Sequence, residues 1–340
     1  MKNIVKSAIF GVVVGDALGV PVEFTPRVDR DIDPVTGMIA YGTHSQPAGT
    51  WSDDSSMMLA TMDSIILRRR FDPDDVMQKF ADWLIKGDYT PYGKAFDVGT
   101  TCSKAITEFL HGTEPYKCGG KTEKDNGNGS LMRIMPGSLC CAASEEYWDE
   151  EKIGEASDFI HGLSGLTHGH PRSLMGCLIY TSICHELILG KDEPLEDRIQ
   201  DAVGRTLEFY DHAWEKYSWF DEDFCVEIRN DAYVRLRNIN EFKNLPRETI
   251  QSGGYVVHTL EAAVWCLLNT NSFPECVLAA VNLGDDTDTV GAVAGGLAGL
   301  LYGYNAIPEA WLKVIAKREW IEALCDDYAN YLETKAVPNC

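Results

Sequence analysis

Three carboxylates and two hydroxyls lie within five residues near the end of the chain, where residues 285–289 read Asp-Asp-Thr-Asp-Thr. An apolar run at residues 277–281 precedes them, and a run of small apolar residues follows at 292–301. Because unpaired charges are costly to remove from water, an acidic cluster between apolar segments needs compensation. A hard divalent cation held by oxygen ligands would supply it. Alternatively, these residues cap the helix that follows residue 286, where acids favour the helix dipole.

A second cluster of the same kind lies far upstream, where residues 49–58 read Gly-Thr-Trp-Ser-Asp-Asp-Ser-Ser-Met-Met. Apolar pairs then recur every four residues at 57/58, 61/62 and 65/66, which predicts a helix with one apolar face. Each cluster therefore places a hydroxyl and acids at a helix start. If the two starts converge, four acids and two hydroxyls could hold two cations about 4 Å apart, as in two-metal sites.

Three further carboxylates could have a role in a site. Glu23 follows a proline between apolar neighbours, which would raise its pKa and suit proton transfer, although a surface turn explains it equally well. Asp97 could cap a helix that starts near residue 100, or it could reach the acidic clusters. Asp16 lies inside an apolar helix, where it is either capped by its neighbours or part of a site.

Two loops could bind anions. Residues 127–133 read Gly-Asn-Gly-Ser-Leu-Met-Arg, and exposed backbone N–H groups at a helix start are the geometry that cradles a phosphate. Glycine and asparagine also simply form turns. Residues 167–171 read Thr-His-Gly-His-Pro, a pair of histidines with no third metal ligand nearby. This pair is more typical of a loop that hydrogen-bonds its neighbours or an anion.

Composition excludes several classes of function. The 340 residues carry a formal net charge of −22, which disfavours nucleic-acid phosphate as a partner. The cysteines number 11, are scattered and contain no C-x-x-C pair, so neither a zinc finger nor a redox motif is indicated. They indicate buried thiols in a reducing compartment, and we expect a cytoplasmic protein.

The periodicity predicts one all-helical domain over residues 1–340, because period-two strand patterns are almost absent. Helices are predicted at 3–19, 53–70, from 72 to about 86, 131–143, 151–167, 173–189, 195–219, from 253 to about 267, on both sides of residue 286, and within 308–333. Residues 25–50 are predicted to be a long loop. The start of the chain resembles a signal peptide, but Asp16 interrupts the apolar run early. We therefore expect a buried first helix and no membrane-spanning stretch.

Seven motifs, in order, resemble the ADP-ribosylglycohydrolase family, which includes the dinitrogenase reductase-activating glycohydrolase. They are Gly-Asp-Ala-Leu-Gly with Glu23, Gly-x-Trp-Ser-Asp-Asp-Ser, Asp-Val-Gly-Thr-Thr, Gly-Asn-Gly-Ser-Leu-Met-Arg, Thr-His-x-His-Pro, Gly-Tyr-Val-Val and Asp-Thr-Asp-Thr-Val-Gly. Each motif alone is weak, but the resemblance runs from Gly11 to about Leu301. It implies a compact all-α orthogonal bundle that holds two Mg²⁺ or Mn²⁺ ions.

The resemblance also implies an activity and a set of site residues. The reaction would be hydrolysis of the bond between C1 of the distal ribose of ADP-ribose and a side-chain atom, most often an arginine nitrogen. The metal ligands would be Ser52, Asp53, Asp54, Asp286, Asp288 and Thr289. The catalytic carboxylates would be Asp97, which orients or deprotonates the water, and Glu23, which transfers a proton or gates the substrate. Substrate would be bound by Gly127, Asn128, Gly129, Ser130, Met132, His168 and Tyr255.

Two alternatives to an enzyme remain open on the sequence. One is a binding module, either an ADP-ribose reader or a crystallin-like structural relative. The other is an acidic helical scaffold in which the acid clusters only cap helices. The expected partner is an ADP-ribosylated protein or a small ADP-ribosyl conjugate, with no nucleic acid and no membrane.

Overall fold

The computed structural model describes residues 1–142, 153–190, 192–213, 226 and 230–334. Over these residues the protein consists of α-helices joined by loops and short 3₁₀ turns, without a β-strand. The predicted all-α class is therefore confirmed. The helices are α1 (Lys2–Gly19), α2 (Arg27–Ile32), α3 (Asp53–Arg68), α4 (Pro73–Lys86), α5 (Thr100–Leu110), α6 (Pro115–Cys118), α7 (Met135–Ala142), α8 (Ile153–Gly165), α9 (Pro171–Leu189), α10 (Leu195–Ala213), α11 (Ile239–Lys243), α12 (Val256–Leu268), α13 (Phe273–Val281), α14 (Thr287–Tyr302), α15 (Glu309–Leu312) and α16 (Arg318–Thr334).

Helices α1 and α14 pack against each other through glycine at the centre of the fold. A Cβ atom added at Gly15 would lie 2.0 Å from the carbonyl oxygen of Gly291, and one at Gly295 would lie 2.2 Å from that of Gly11. The two backbones therefore touch directly, which only residues without a side chain allow. This contact explains the run of small residues after residue 291. It also sets the N-terminus of α14 against the C-terminal end of α1, where Asp16 lies.

The first helix differs in one respect from the expectation based on the sequence. Residues Lys2–Val22 are long and apolar enough to cross a membrane by length and composition, so the expectation that no stretch is long enough is wrong. Of the most apolar window in this segment, 89% is buried inside the protein. The structure accordingly supports the expected buried first helix, which α14 covers.

Local capping signals predicted several helix boundaries correctly. Ser52 is the N-cap of α3, and its hydroxyl accepts a hydrogen bond from the N–H of Asp54 at 3.3 Å. Asp72 caps α4 in the same way, and Gly87 ends α4 in the left-handed conformation. Each of the predicted segments 131–143, 151–167 and 195–219 contains a helix, but residues 143, 151–152 and 214–219 lie outside the described residues.

Three local predictions are wrong. Asp97 does not cap α5, since the N-cap is Gly99 and no side chain bonds there. The segment 127–133 does not begin a helix, because α7 starts only at Met135 and a turn precedes it. The predicted loop at 25–50 contains the short helix α2. The single-domain assignment stays a prediction.

Candidate active site

The two acidic helix starts meet in space. The hydroxyl of Thr289, in the first turn of α14, donates to Oδ1 of Asp54, in the first turn of α3, at 3.2 Å. Carboxylate oxygens of Asp16, Asp54 and Asp288 all lie within 4.8 Å of one another, and all three residues are buried. The convergence expected from the two hydroxyl-plus-acid clusters is therefore present.

Asp16 holds the start of α3 in place. Its carboxylate accepts hydrogen bonds from the N–H of Ser52 at 2.9 Å, from the N–H of Ser55 at 3.1 Å and from the hydroxyl of Ser55 at 2.6 Å. Thr287 fixes the other helix start, because its hydroxyl donates to the carbonyl of Gly19 at 2.8 Å. Both starts are thus tied to the C-terminal end of α1.

A second acidic group adjoins the first. Carboxylate oxygens of Glu23, Asp286 and Asp288 also lie within 4.8 Å of one another. The side-chain amide of Asn128 donates to Asp286 at 2.7 Å and to the hydroxyl of Thr259 at 2.8 Å, which orients the Asp286 carboxylate. Asp286 is the N-cap of α14 but makes no side-chain capping bond, so capping does not explain this residue.

The two acidic groups fit divalent cations. Among the described residues, Oδ2 of Asp54 and Oδ2 of Asp288 are buried without a hydrogen-bond partner. Burial raises the pKa of both carboxyls well above the usual range, and the neighbouring carboxylates raise it further. Burial likewise raises the pKa of Asp16 to about 6. Buried oxygen donors that repel one another and lack partners are the ligands that hard divalent cations neutralise. Asp53 lies outside both groups and lines the neighbouring cleft.

A third group contains the two predicted catalytic carboxylates. Ligand atoms of Glu23, His44 and Asp97 lie within 4.8 Å of one another, and Nε2 of His44 is hydrogen-bonded to Oε2 of Glu23. Burial raises the pKa of Glu23 to about 7, an effect that the His44 bond partly offsets and Asp97 strengthens. Burial also raises the pKa of Asp97, whose backbone adopts φ 49°. Two interacting carboxyls with raised pKa values can share an acid and a base role.

Glu23, Asp54, Asp97 and Asp286, which belong to these groups, form what we call the floor of a cleft. The cleft has a volume of about 590 Å³, which is typical of small-molecule sites. Its lining includes Glu23, Asp53, Asp54, Asp97, Gly127, Asn128, Gly129, Met132, His168, Asp286 and Thr289. No lysine or arginine is among the described residues that line it. Burial lowers the pKa of His168 to about 3, so its imidazole is neutral at pH 7.

Four predicted residues do not line the cleft surface. Asp288 lies beneath the floor in the acidic groups, and Ser52 caps α3. Ser130 is fully buried and bonds Ser164 at 2.9 Å, pointing its hydroxyl into the core. Tyr255 pairs through its backbone with Gly127, and its ring lies against His258.

The structure adds two residues to those that the family resemblance implied. Asp16 was an open candidate from the sequence, because it is the only charged residue between Lys6 and Glu23 in an otherwise apolar segment. No feature of the sequence indicated His44, because it lies in the region 25–50 that was predicted to be a loop and meets Glu23 only in the folded protein. The two histidines of residues 168–170 diverge: His168 faces the cleft, whereas His170 is the N-cap of α9.

The fold and the site define an all-α protein with buried acidic groups that could hold cations beneath a substrate-sized cleft. The family model for ADP-ribosylglycohydrolase matches residues 1–337. The chain therefore belongs to the ADP-ribosylglycohydrolase family, whose members hydrolyse ADP-ribosyl conjugates, and the predicted glycosidic-bond hydrolase class is confirmed.

The similarity to individual relatives extends over nearly the whole chain. The ADP-ribosylarginine hydrolase Tri1 of Serratia proteamaculans is 32% identical, over 94% of this chain and 77% of the relative. The ADP-ribosyl-[dinitrogen reductase] glycohydrolase of Rhodospirillum rubrum is 29% identical, over 90% of this chain and 87% of the relative. A solved structure described as an ADP-ribosylglycohydrolase-related protein complex is 28% identical, with a TM-score of 0.73 over 97% of this chain and 98% of that chain.

Proposed function

We propose that this protein is a Mg²⁺- or Mn²⁺-dependent hydrolase that releases ADP-ribose from modified arginine side chains. The buried acidic centre at the floor of the cleft is the observation that carries the proposal. Relatives from Serratia proteamaculans and Pseudomonas putida, at 32% and 30% identity, are named ADP-ribosylarginine hydrolase, which supports arginine as the acceptor. The substrate is an ADP-ribosylated protein or a small conjugate. We place the activity in the cytoplasm, in keeping with the free cysteines of the described residues.

Two divalent cations would be held by six oxygen-bearing residues: Ser52, Asp53, Asp54, Asp286, Asp288 and Thr289. When bound, the cations would offset the charge of the carboxylates and polarise oxygen atoms of the ribose and of water. The unpartnered oxygens of Asp54 and Asp288 support this assignment. The lack of lysine and arginine among the described lining residues supports it too, because a diphosphate could not otherwise enter so acidic a cleft.

Asp97 and Glu23 supply the proton transfers. Asp97 orients a water molecule towards C1 of the distal ribose and accepts its proton as the new C–O bond forms. The C–N bond to the acceptor breaks, and the leaving nitrogen takes up a proton that Glu23 donates. The pKa of Glu23, raised to about 7, suits a group that exchanges protons near neutral pH.

The loop at 127–132 and His168 would bind the rest of the nucleotide. Gly127, Gly129 and Met132 line the cleft, and Asn128 joins this loop to Asp286. Because His168 is neutral, its ring can donate one N–H to the substrate without adding a positive charge near the cations. For Ser130 only the backbone is available, and Tyr255 would act by supporting Gly127.

One assay tests the proposal. The purified protein is mixed with Mn²⁺ and an arginine-ADP-ribosylated protein, and free ADP-ribose is measured by chromatography. Release that requires the metal supports the hydrolase. Tight binding without release would identify an ADP-ribose reader instead, and neither binding nor release would leave only a scaffold. A serine-ADP-ribosylated protein, treated in parallel, tests whether arginine is the preferred acceptor.

A further inference from the structure

Phe24 and Asp285 face each other at the mouth of the cleft. The N–H of Phe24 donates to the carbonyl of Asp285 at 2.7 Å, and the N–H of Asp285 donates to the carbonyl of Thr25 at 2.8 Å. Both residues have left-handed backbones, with φ 63° for Phe24 and 61° for Asp285. This conformation is costly for a residue with a side chain and unusual for phenylalanine, so it persists only where the surrounding structure imposes it.

The paired backbones bring an aromatic residue and an acidic residue together in the lining of the cleft. Phe24 is 67% exposed although it lines the cleft, and Asp285 is exposed and lines it too. Among the interactions of the described residues, none involves the Asp285 carboxylate in a hydrogen bond or ion pair. The nearby guanidinium of Arg27 is already committed, since it donates to the carbonyls of Leu283 and Arg247 at 2.8 Å each.

The position of the pair relates it to the reacting bond. Phe24 directly follows Glu23, and Asp285 directly precedes Asp286, so each mouth residue is adjacent in sequence to a carboxylate at the floor. All four residues line the same cleft. A group that contacts both Phe24 and Asp285 therefore lies beside the carboxylates of Glu23 and Asp286, where the bond to the ribose would break.

We propose that Phe24 and Asp285 form the subsite for the acceptor side chain and select a guanidinium. The ring face attracts a cation, and the carboxylate accepts charge-assisted hydrogen bonds from planar N–H groups. A neutral hydroxyl acceptor would gain neither interaction. This inference rests on the proposed function and adds which residues choose arginine.

Kinetics on an arginine-ADP-ribosylated peptide test the subsite, with the inhibition constant of free ADP-ribose as the internal reference. Asp285→Asn is expected to lower kcat/KM about tenfold, as for loss of a hydrogen bond to a charged group, without changing ADP-ribose inhibition. Phe24→Leu, which removes the aromatic ring, should also lower kcat/KM. Phe24→Tyr, which keeps the ring, should leave kcat/KM near the wild-type value. The matched controls are Asp29→Asn and Val28→Ala, which change exposed residues of the next segment that do not line the cleft.

Several outcomes would overturn the subsite. These are an unchanged kcat/KM in Asp285→Asn, an equal loss in Asp29→Asn, and weaker inhibition by free ADP-ribose in proportion to the loss. If the wild-type protein releases no ADP-ribose from the arginine peptide, the proposed function itself fails. The affinity for the intact conjugate then decides the subsite separately: a loss in Asp285→Asn alone supports it, and an unchanged affinity refutes it.

Discussion

The hydroxyl of Thr289 donates a hydrogen bond to the carboxylate of Asp54 at 3.2 Å, although the two residues are 235 positions apart. This bond joins the first turns of α14 and α3, and Asp16 of α1 lies against both. Three helices therefore bring their carboxylates together in a buried place where no lysine or arginine is among the hydrogen-bond partners found in the described residues. Such a centre is expected to depend on cations for both stability and activity.

Removing divalent cations should destabilise the fold. Adding Mg²⁺ or Mn²⁺ at about 100 times its dissociation constant should stabilise it by about 2.7 kcal/mol, because the ion binds only the folded state. Asp288→Asn should abolish this gain while keeping the 2.9 Å bond from the N–H of Thr289 to Oδ1. Thermal unfolding with and without the ion measures this stabilisation. The control is Asp327→Asn, a change at an exposed residue. An equal gain in Asp288→Asn would contradict the assignment.

The cation-free protein should lose stability as pH rises. Burial raises the pKa of Asp16 to about 6, from a usual value of 3.8, and raises those of Asp54 and Asp288 well above theirs. Above about pH 4 the unfolded chain releases these protons while the folded protein retains them, so the folded state is favoured at low pH. As pH rises, each of these carboxyls lowers the free energy of unfolding by up to about 1.4 kcal/mol per pH unit, until the carboxyl ionises in the folded protein as well. Denaturant unfolding of metal-stripped protein between pH 6.5 and 8 measures the slope, because below pH 6.5 the lowered pKa of the buried His168 acts in the opposite direction. A rise in stability between pH 6.5 and 8 would exclude the explanation.

Asp97→Asn should stop turnover without weakening nucleotide binding. The amide keeps the size of the side chain but cannot accept the proton of the attacking water, so kcat should fall about 10²–10⁴-fold. The affinity for ADP-ribose, measured by calorimetry, should stay within twofold, since Asp97 is assigned to the water. Asp88→Asn, an exposed change on the same loop, is the control. Wild-type turnover in Asp97→Asn would remove this residue from the mechanism.

His44→Ala should shift the pH dependence of kcat/KM upward. Burial raises the pKa of Glu23 to about 7, and the hydrogen bond from His44 holds it below the value that burial alone would give. Without the imidazole, Glu23 retains its proton to higher pH, so the limb of the profile near pH 7 should move to higher pH. The comparison is His44→Gln, whose amide can still donate to Glu23. Identical profiles in all three proteins would show that His44 does not set the protonation of Glu23.

Gly295→Ala should destabilise the protein severely. The added Cβ would lie 2.2 Å from the carbonyl oxygen of Gly11, so α1 and α14 would have to separate. Overpacking of this kind costs about 1–3 kcal/mol or more. Gly204→Ala is the matched control, because its Cβ would meet nothing within 4 Å in the middle of α10. That change should stabilise the helix by up to about 1 kcal/mol, and denaturant unfolding compares the two variants.

The amino-acid sequence by itself determined the helices and most candidate residues of the site. Capping and periodicity act within a few residues, so Ser52 and Asp72 marked helix starts correctly. The two acid-and-hydroxyl clusters were equally visible, since each occupies one short segment. The family followed from the order of such segments along the chain.

Only the tertiary structure decided which carboxylates share a site. Asp16 joins Asp54 and Asp288 because α1 and α14 approach through glycines such as Gly15 and Gly291, which are 276 positions apart. Asp97 proved not to be a cap, and His44 reached Glu23 from a loop without periodicity. These relations depend on long-range packing, and no local pattern of hydrogen bonds or apolar residues encodes them. The mouth pair of Phe24 and Asp285 exists for the same reason, since their backbones meet only after folding.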